Sequence, residues 1–399
     1  MRNRAGPALC AIALVFASGC AAVPRYDVQG ALAGQALSTS TDSELSRYYL
    51  EHYLAGERVN PAYDRIIDET LARFDERPLD RDMLQELTQQ LSIDFATLYF
   101  VARLSQDPVN RQAQQAFHTH LAALREEGGA AIAARLAPYL IVFVPGYAFR
   151  RNPETGADFA RQRWLLGQAG VRTHLIETDE IGLVEPNAAI IADDIRRLGR
   201  AHDRIILVST SKGGPEAALA LGKLLSPEEL EPVKAWVSIG GMLQGTPSAD
   251  RWLVWPRRWI AGLGFRVKGL SPDVIANLST GVRRAAFAEL HFPDHLMKLQ
   301  YIGVPLSGHV GDHIRSRYRR LKAFGPNDGL TLLADQLVNG GVAITDIGLD
   351  HYYLDPEIEL KTFAMAAVVL DLLHGRVVNL SETTAAAAAG GGGPGGSAR

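Results

Sequence analysis

Ser211 lies in Ile205-Ile-Leu-Val-Ser-Thr-Ser211-Lys-Gly213-Gly214, where an apolar run gives way to small residues and then to Ala- and Leu-rich sequence. A strand, a tight turn and a helix in that order are how a serine hydroxyl is presented for nucleophilic attack. Small residues are needed two positions before and after it, because strand and helix pack closely around the turn. Gly213 meets that need, and Ser209 stands where glycine is usual. Alone, the segment also reads as an ordinary strand-to-helix turn. A serine hydroxyl is a weak nucleophile and needs an adjacent base, itself oriented by a carboxylate. Both types follow in the chain order this layout requires. Gly325-Pro-Asn-Asp328-Gly329 is a turn sequence suited to presenting a carboxylate, and Gly348-Leu-Asp-His351 puts a histidine in a late loop before the last helix, expected over residues 357–373. Asp328 also reads as a cap for a helix starting near Gly329, with Asp335, Asp346 and Asp350 as alternative acids. His351 also reads as a packed loop histidine, and His374 as an exposed helix-end one.

The elements around these residues change character near residue 137. Residues 139–144, 171–177, 204–209, 235–240 and 299–304 are short runs apolar on both faces, with helical patterns between several of them. Such runs indicate a parallel sheet covered by helices, a doubly wound α/β domain with its chemistry at the strands' carboxyl ends. Residues 42–128 are helical in pattern. Leu45, Tyr48, Tyr49, His52 and Tyr53 share one face, Asn60-Pro61 starts a second helix, and residues 80–91, 92–104 and 110–127 supply three more. The domain organisation read from this is a helical subdomain over 42–128 and an α/β domain over 129–382.

The Val144-Pro145-Gly146-Tyr147 loop, the Ser-x-Ser-x-Gly elbow, the Asn-Asp-Gly turn and the late Asp-His pair together resemble the α/β-hydrolase superfamily, and more closely bacterial lipases and esterases. The resemblance covers roughly residues 138–376. It implies Ser211 as nucleophile, His351 as general base and then acid, and Asp328 as its orienting partner. It also implies an oxyanion hole of two backbone N–H groups, those of Lys212 and of Tyr147, with Ala148 the alternative to Tyr147. The activity implied is hydrolysis of a small-molecule or lipid ester through an acyl-enzyme, with no cofactor. An acyltransferase would use the same three residues, and a non-catalytic envelope lipoprotein could keep the fold as a binding scaffold.

Between residues 241 and 298 lie more residues than a crossover needs, and long insertions in compact domains are usually lids or binding elements. This one carries Trp252, Trp255 and Trp259. Trp255 and Trp259 are expected to line an acyl pocket from a cap over Ser211, or else to pack into the core. His291 and His295, and His309 and His313, have a spacing that ligates metal on a helix, but Pro293 and Gly311 interrupt them, so no metal is expected. His118 and His120 sit at i and i+2 of a helix and face apart. Gly213-Gly214 lacks the Gly-Lys-Ser/Thr of a phosphate loop.

The chain has 399 residues, 47% of them apolar, and a formal net charge of −3 with no long basic run. That is enough to bury a core, and it excludes nucleic acid as a main partner. Residues 1–19 have a basic start and an apolar run too short to span a bilayer, which reads as a secretory signal. Ala17-Ser18-Gly19-Cys20 resembles a bacterial lipoprotein cleavage box, with Ala17 where leucine is usual; plain cleavage near Ala21 or Ala22 is the alternative. Cys10 would leave with the signal, so Cys20 would be the sole mature cysteine, and acylation accounts for it. The expectation is a lipid-anchored envelope protein with a flexible tether over 20–41 and an Ala/Gly tail, without packing, over 383–399.

Overall fold

The computed structural model describes residues 25–253 and 272–376. Within the stretch expected as a tether it has an antiparallel hairpin, β1 (Tyr26–Leu32) and β2 (Gln35–Thr41). Ala33 and Gly34 turn the chain with φ 52° and 79°, the two positive angles that a tight two-residue hairpin needs. Only one face of each strand is apolar. Val28, Leu32 and Leu37 are buried while their neighbours face out, which is why the composition resembles a linker.

The main sheet holds six strands: β3 (Leu140–Val144), β4 (Arg172–Leu175), β5 (Ile205–Thr210), β6 (Val233–Ile239), β7 (Met297–Val304) and β8 (Val342–Ile347). Their order is β4-β3-β5-β6-β7-β8 and every neighbouring pair is parallel. Both faces are covered, as a parallel sheet requires. Ile141, Phe143, Ile206, Val237 and Leu299 pack against the helices Pro108–Glu127, Ala130–Leu136, Ala160–Gln168 and Ile358–Leu373. On the other face, Val142, Leu207 and Trp236 meet the helices Val184–Gly199 and Gly213–Leu219.

The N-terminal helices begin at side-chain caps: Asn60 accepts from Ala62 N–H, Asp80 from Met83 N–H and Ser92 from Phe95 N–H. Each cap contributes about 1 kcal/mol. These helices do not enclose a core of their own. Leu87, Phe95 and Phe100 join β1, β2 and the β7 and β8 residues Ile302, Val304 and Ile347 in one cluster. These helices cover β7 and β8 on the side of the sheet that also carries Trp236.

Strand β8 is an edge, and an edge exposes a row of unpaired N–H and C=O groups. Here three side-chain amides occupy that row. Asn110 Oδ1 accepts from Ala343 N–H at 2.8 Å. Gln114 accepts from Thr345 N–H at 2.8 Å and donates to Thr345 O at 2.9 Å. Gln35 accepts from Ile347 N–H at 2.9 Å and donates to Ile347 O at 2.6 Å. The amides thus do for alternate residues what a seventh strand would do. Gln114→Ala should lower the unfolding free energy by about 1–3 kcal/mol, the cost of leaving buried backbone groups unpaired. Gln115→Ala, on the exposed side of the same helix, should cost less than about 0.5 kcal/mol. Equal losses in urea titrations would remove the edge-capping account.

Candidate active site

Ser211 follows β5 directly and holds a left-handed backbone, φ 50°. Its N–H donates to Ile239 O at 3.2 Å, and its carbonyl accepts from Gly214 N–H at 3.0 Å and Met242 N–H at 3.1 Å. A Cβ at Gly213 would lie 2.5 Å from Pro145 O and 2.9 Å from Val144 O, so the second small residue of the motif is obligatory. Ser209, in place of the usual glycine, accepts from the indole N–H of fully buried Trp236 at 2.9 Å. The departure from the motif therefore satisfies a polar group that would otherwise be buried alone.

Asp328 does not start a helix. Its N–H donates to Thr331 O at 3.1 Å, and Asn327 and Leu332 bridge across the turn. Gly329 takes φ 97° there, an angle that favours glycine. One carboxylate oxygen, Oδ1, accepts from Leu330 N–H at 2.9 Å and Thr331 N–H at 2.8 Å. The other accepts from Gln336 Nε2 at 3.0 Å and lies 2.9 Å from His351 Nδ1. With the carboxylate engaged as acceptor throughout, Nδ1 carries the proton and Nε2 is left bare. Nε2 lies 2.9 Å from Ser211 Oγ. His351 N–H also donates to Asp328 O at 3.0 Å, tying the two loops together. Asp328 is fully buried and His351 8% exposed, so water screens this line of contacts weakly.

The alternative acids are engaged elsewhere. Asp335 faces Arg81, Asp346 bonds Tyr301 and Lys361, and Asp350 meets His313. His374 sits exposed at the end of the last helix. Tyr147 and Ala148 are separated by their own bonding. Ala148 N–H donates to Glu180 O at 2.9 Å, whereas no acceptor among the described residues takes the N–H of Tyr147 or of Lys212. Ser211, His351 and Tyr147 border a cavity of about 1460 Å³. Trp252 of the insertion also borders it, while Trp255 and Trp259, like Cys20, lie outside the described residues. Among the described residues no three His, Cys, Asp or Glu gather to hold a metal, and no helix is long and apolar enough to cross a membrane.

Sequence reasoning missed the side chains behind the elbow. The Lys212 ammonium is buried against Glu216 one turn on, and Glu216 also accepts from Asn187 Nδ2 at 2.7 Å. Asn187 in turn bonds both backbone groups of Asp179. The signal was a charged i, i+4 pair inside an otherwise apolar and small helix.

Strand order, elbow and loop positions together decide the architecture. The fold is the α/β-hydrolase fold. No protein-family model matches the chain, and no curated protein sequence does either. Among solved structures it is similar to a metagenomic carboxyl esterase at 21% identity, with 61% of this chain aligned to 76% of that one and a TM-score of 0.45. It is also similar to the mature form of a Bacillus licheniformis lipase at 20% identity, 60% of this chain against 92% of that one, TM-score 0.47.

Burial pushes the Glu216 carboxyl up to about 7, against the opposing pull of Lys212 and Asn187. A carboxyl raised in the folded state stabilises it at low pH and loses that contribution as pH rises through the folded value. Without the ammonium the carboxyl rises further and the loss deepens. Lys212→Met should therefore cost about 3–5 kcal/mol at pH 8 and distinctly less at pH 5.5. An equal cost at both pH values, in urea unfolding, would contradict the buried pair.

Proposed function

We propose that the protein is a serine hydrolase of carboxylic esters acting through an acyl-enzyme. The observation that carries the reading is the unbroken hydrogen-bonded line from Asp328 through His351 to Ser211, which borders the cavity. In the first half-reaction Ser211 Oγ forms a bond to the ester carbonyl carbon while its proton passes to His351 Nε2. The carbonyl π pair moves onto oxygen, and the free N–H groups of Lys212 and Tyr147 are the donors suited to that developing charge. The carbon–oxygen bond to the alcohol then breaks, and the alcohol leaves with the proton from Nε2. In the second half-reaction water attacks the acyl carbon, its proton goes to Nε2 and returns to Ser211 Oγ, and the carboxylic acid departs. Asp328 holds the ring in the productive tautomer and balances the transient imidazolium charge.

Ser211→Ala and His351→Ala should each lower turnover of a short-chain ester by about four to six orders of magnitude, since these residues act as a unit. Asp328→Asn should cost about 10⁴-fold by presenting the wrong tautomer. Asp350→Asn should leave turnover within about tenfold, because its contacts are with His313 and the Tyr352 backbone. A damaging Asp350→Asn beside a neutral Asp328→Asn would overturn the acid assignment. An active Ser211→Ala would overturn the nucleophile.

A further inference from the structure

The cavity at Ser211 does not stop at the surface loops. It runs down one face of the sheet, along Thr210, Val208 and Ile206 of β5 and along Phe143 and Ile141 of β3. These residues alternate in sequence, so all point to the same side. Met365, Ala366 and Val369 of the last helix form the opposite wall, and Leu136 also borders the space. Ile206 precedes Ser211 by five residues, so the space reaches roughly 16 Å below the nucleophile at about 3.3 Å per residue.

Two observations distinguish this from ordinary packing. Val208, in a central strand, and Ala366, inside the facing helix, are each only partly buried, whereas Leu207 and Val142 on the other face are fully buried. And the sheet residues bordering the space are apolar except Thr210, the last residue of β5, and Tyr301 of β7, whose hydroxyl bonds Asp346. Empty apolar space in a core lowers stability, and apolar space next to a reacting group is suited to apolar ligands.

We propose that this space is an acyl tunnel, and that the substrate is an ester of a single long acyl chain, on the order of ten carbons, threaded between the sheet and the last helix. The proposal rests on the ester-hydrolase reading and adds the substrate class. The chain's carbonyl stays at Ser211, its methylenes pass Val208, and its end approaches Ile206. The described part of the insertion contributes Pro247, Trp252 and Leu278 to the cavity, but the wall facing β5 belongs to the hydrolase domain itself.

The test is a chain-length series of p-nitrophenyl esters from acetyl to dodecanoyl. For the wild-type protein kcat/KM should rise several-fold for each pair of methylenes, up to about tenfold, and be highest near the long end. Val208→Phe and Ala366→Phe fill the tunnel from opposite walls, so each should lower the dodecanoyl-to-butanoyl ratio of kcat/KM by about tenfold or more. A second measurement needs no turnover: sodium dodecanoate should raise the melting temperature of the wild type and not of either filled variant. A profile that falls beyond butanoyl, or a ratio unchanged in a folded filled variant, would overturn the tunnel. If no ester of any length were hydrolysed yet dodecanoate stabilised the wild type alone, the tunnel would stand and the hydrolase reading would fall. If butanoyl esters were hydrolysed and dodecanoate had no effect, the reverse would hold.

Discussion

Ser211 keeps a backbone angle, φ 50°, that an L residue adopts at a cost of about 1–3 kcal/mol. The surroundings leave it no other choice. The strand before it is locked between β3 and β6, its N–H and carbonyl are bonded to Ile239, Gly214 and Met242, and Gly213 presses against the carbonyls of Val144 and Pro145. Relaxing the turn would break those contacts together. The strained turn lifts Oγ off the sheet toward His351 and leaves the Lys212 N–H without a partner among the described residues.

His351 and Asp328 reach Ser211 from the β8 side of the sheet. His351 follows β8 by four residues, and Asp328 lies in the connection between β7 and β8. Their positions depend on where β8 sits, and β8 is an edge strand. The amides of Asn110, Gln114 and Gln35 hold that edge, and the hairpin and N-terminal helices bury Ile302, Val304 and Ile347 beneath it. The N-terminal region, which carries no chemistry of its own in the sequence, thereby fixes the strand from which His351 departs.

The three residues that the structure brings together were legible as candidates because chemistry restricts residue type and order. A serine between small residues after an apolar run, then an acid in a turn, then a late histidine, left few alternatives, and the strands β3, β5, β6 and β7 announced themselves as continuous apolar runs. Strand β8 did not, because Thr345 and Asp346 interrupt it: Thr345 bonds Gln114, and Asp346 bonds Tyr301 and Lys361. The hairpin was hidden because only alternate residues of two short polar strands are buried. Tyr147 and Ala148 differ only in which N–H is already taken, a matter of long-range backbone pairing that no local pattern encodes. The apolar depth below Ser211 was invisible for a related reason. Its lining residues are ordinary strand and helix residues, and only their failure to fill the space between sheet and helix distinguishes them.

The central claim is that Ser211 is a nucleophile activated by His351, and reaction of the full-length protein with a fluorophosphonate probes it without any choice of ester. Intact mass and peptide mapping should show one adduct per chain, on Ser211, absent in Ser211→Ala and formed far more slowly in His351→Ala. An unmodified wild-type protein, or an adduct that persists in Ser211→Ala, would contradict the account.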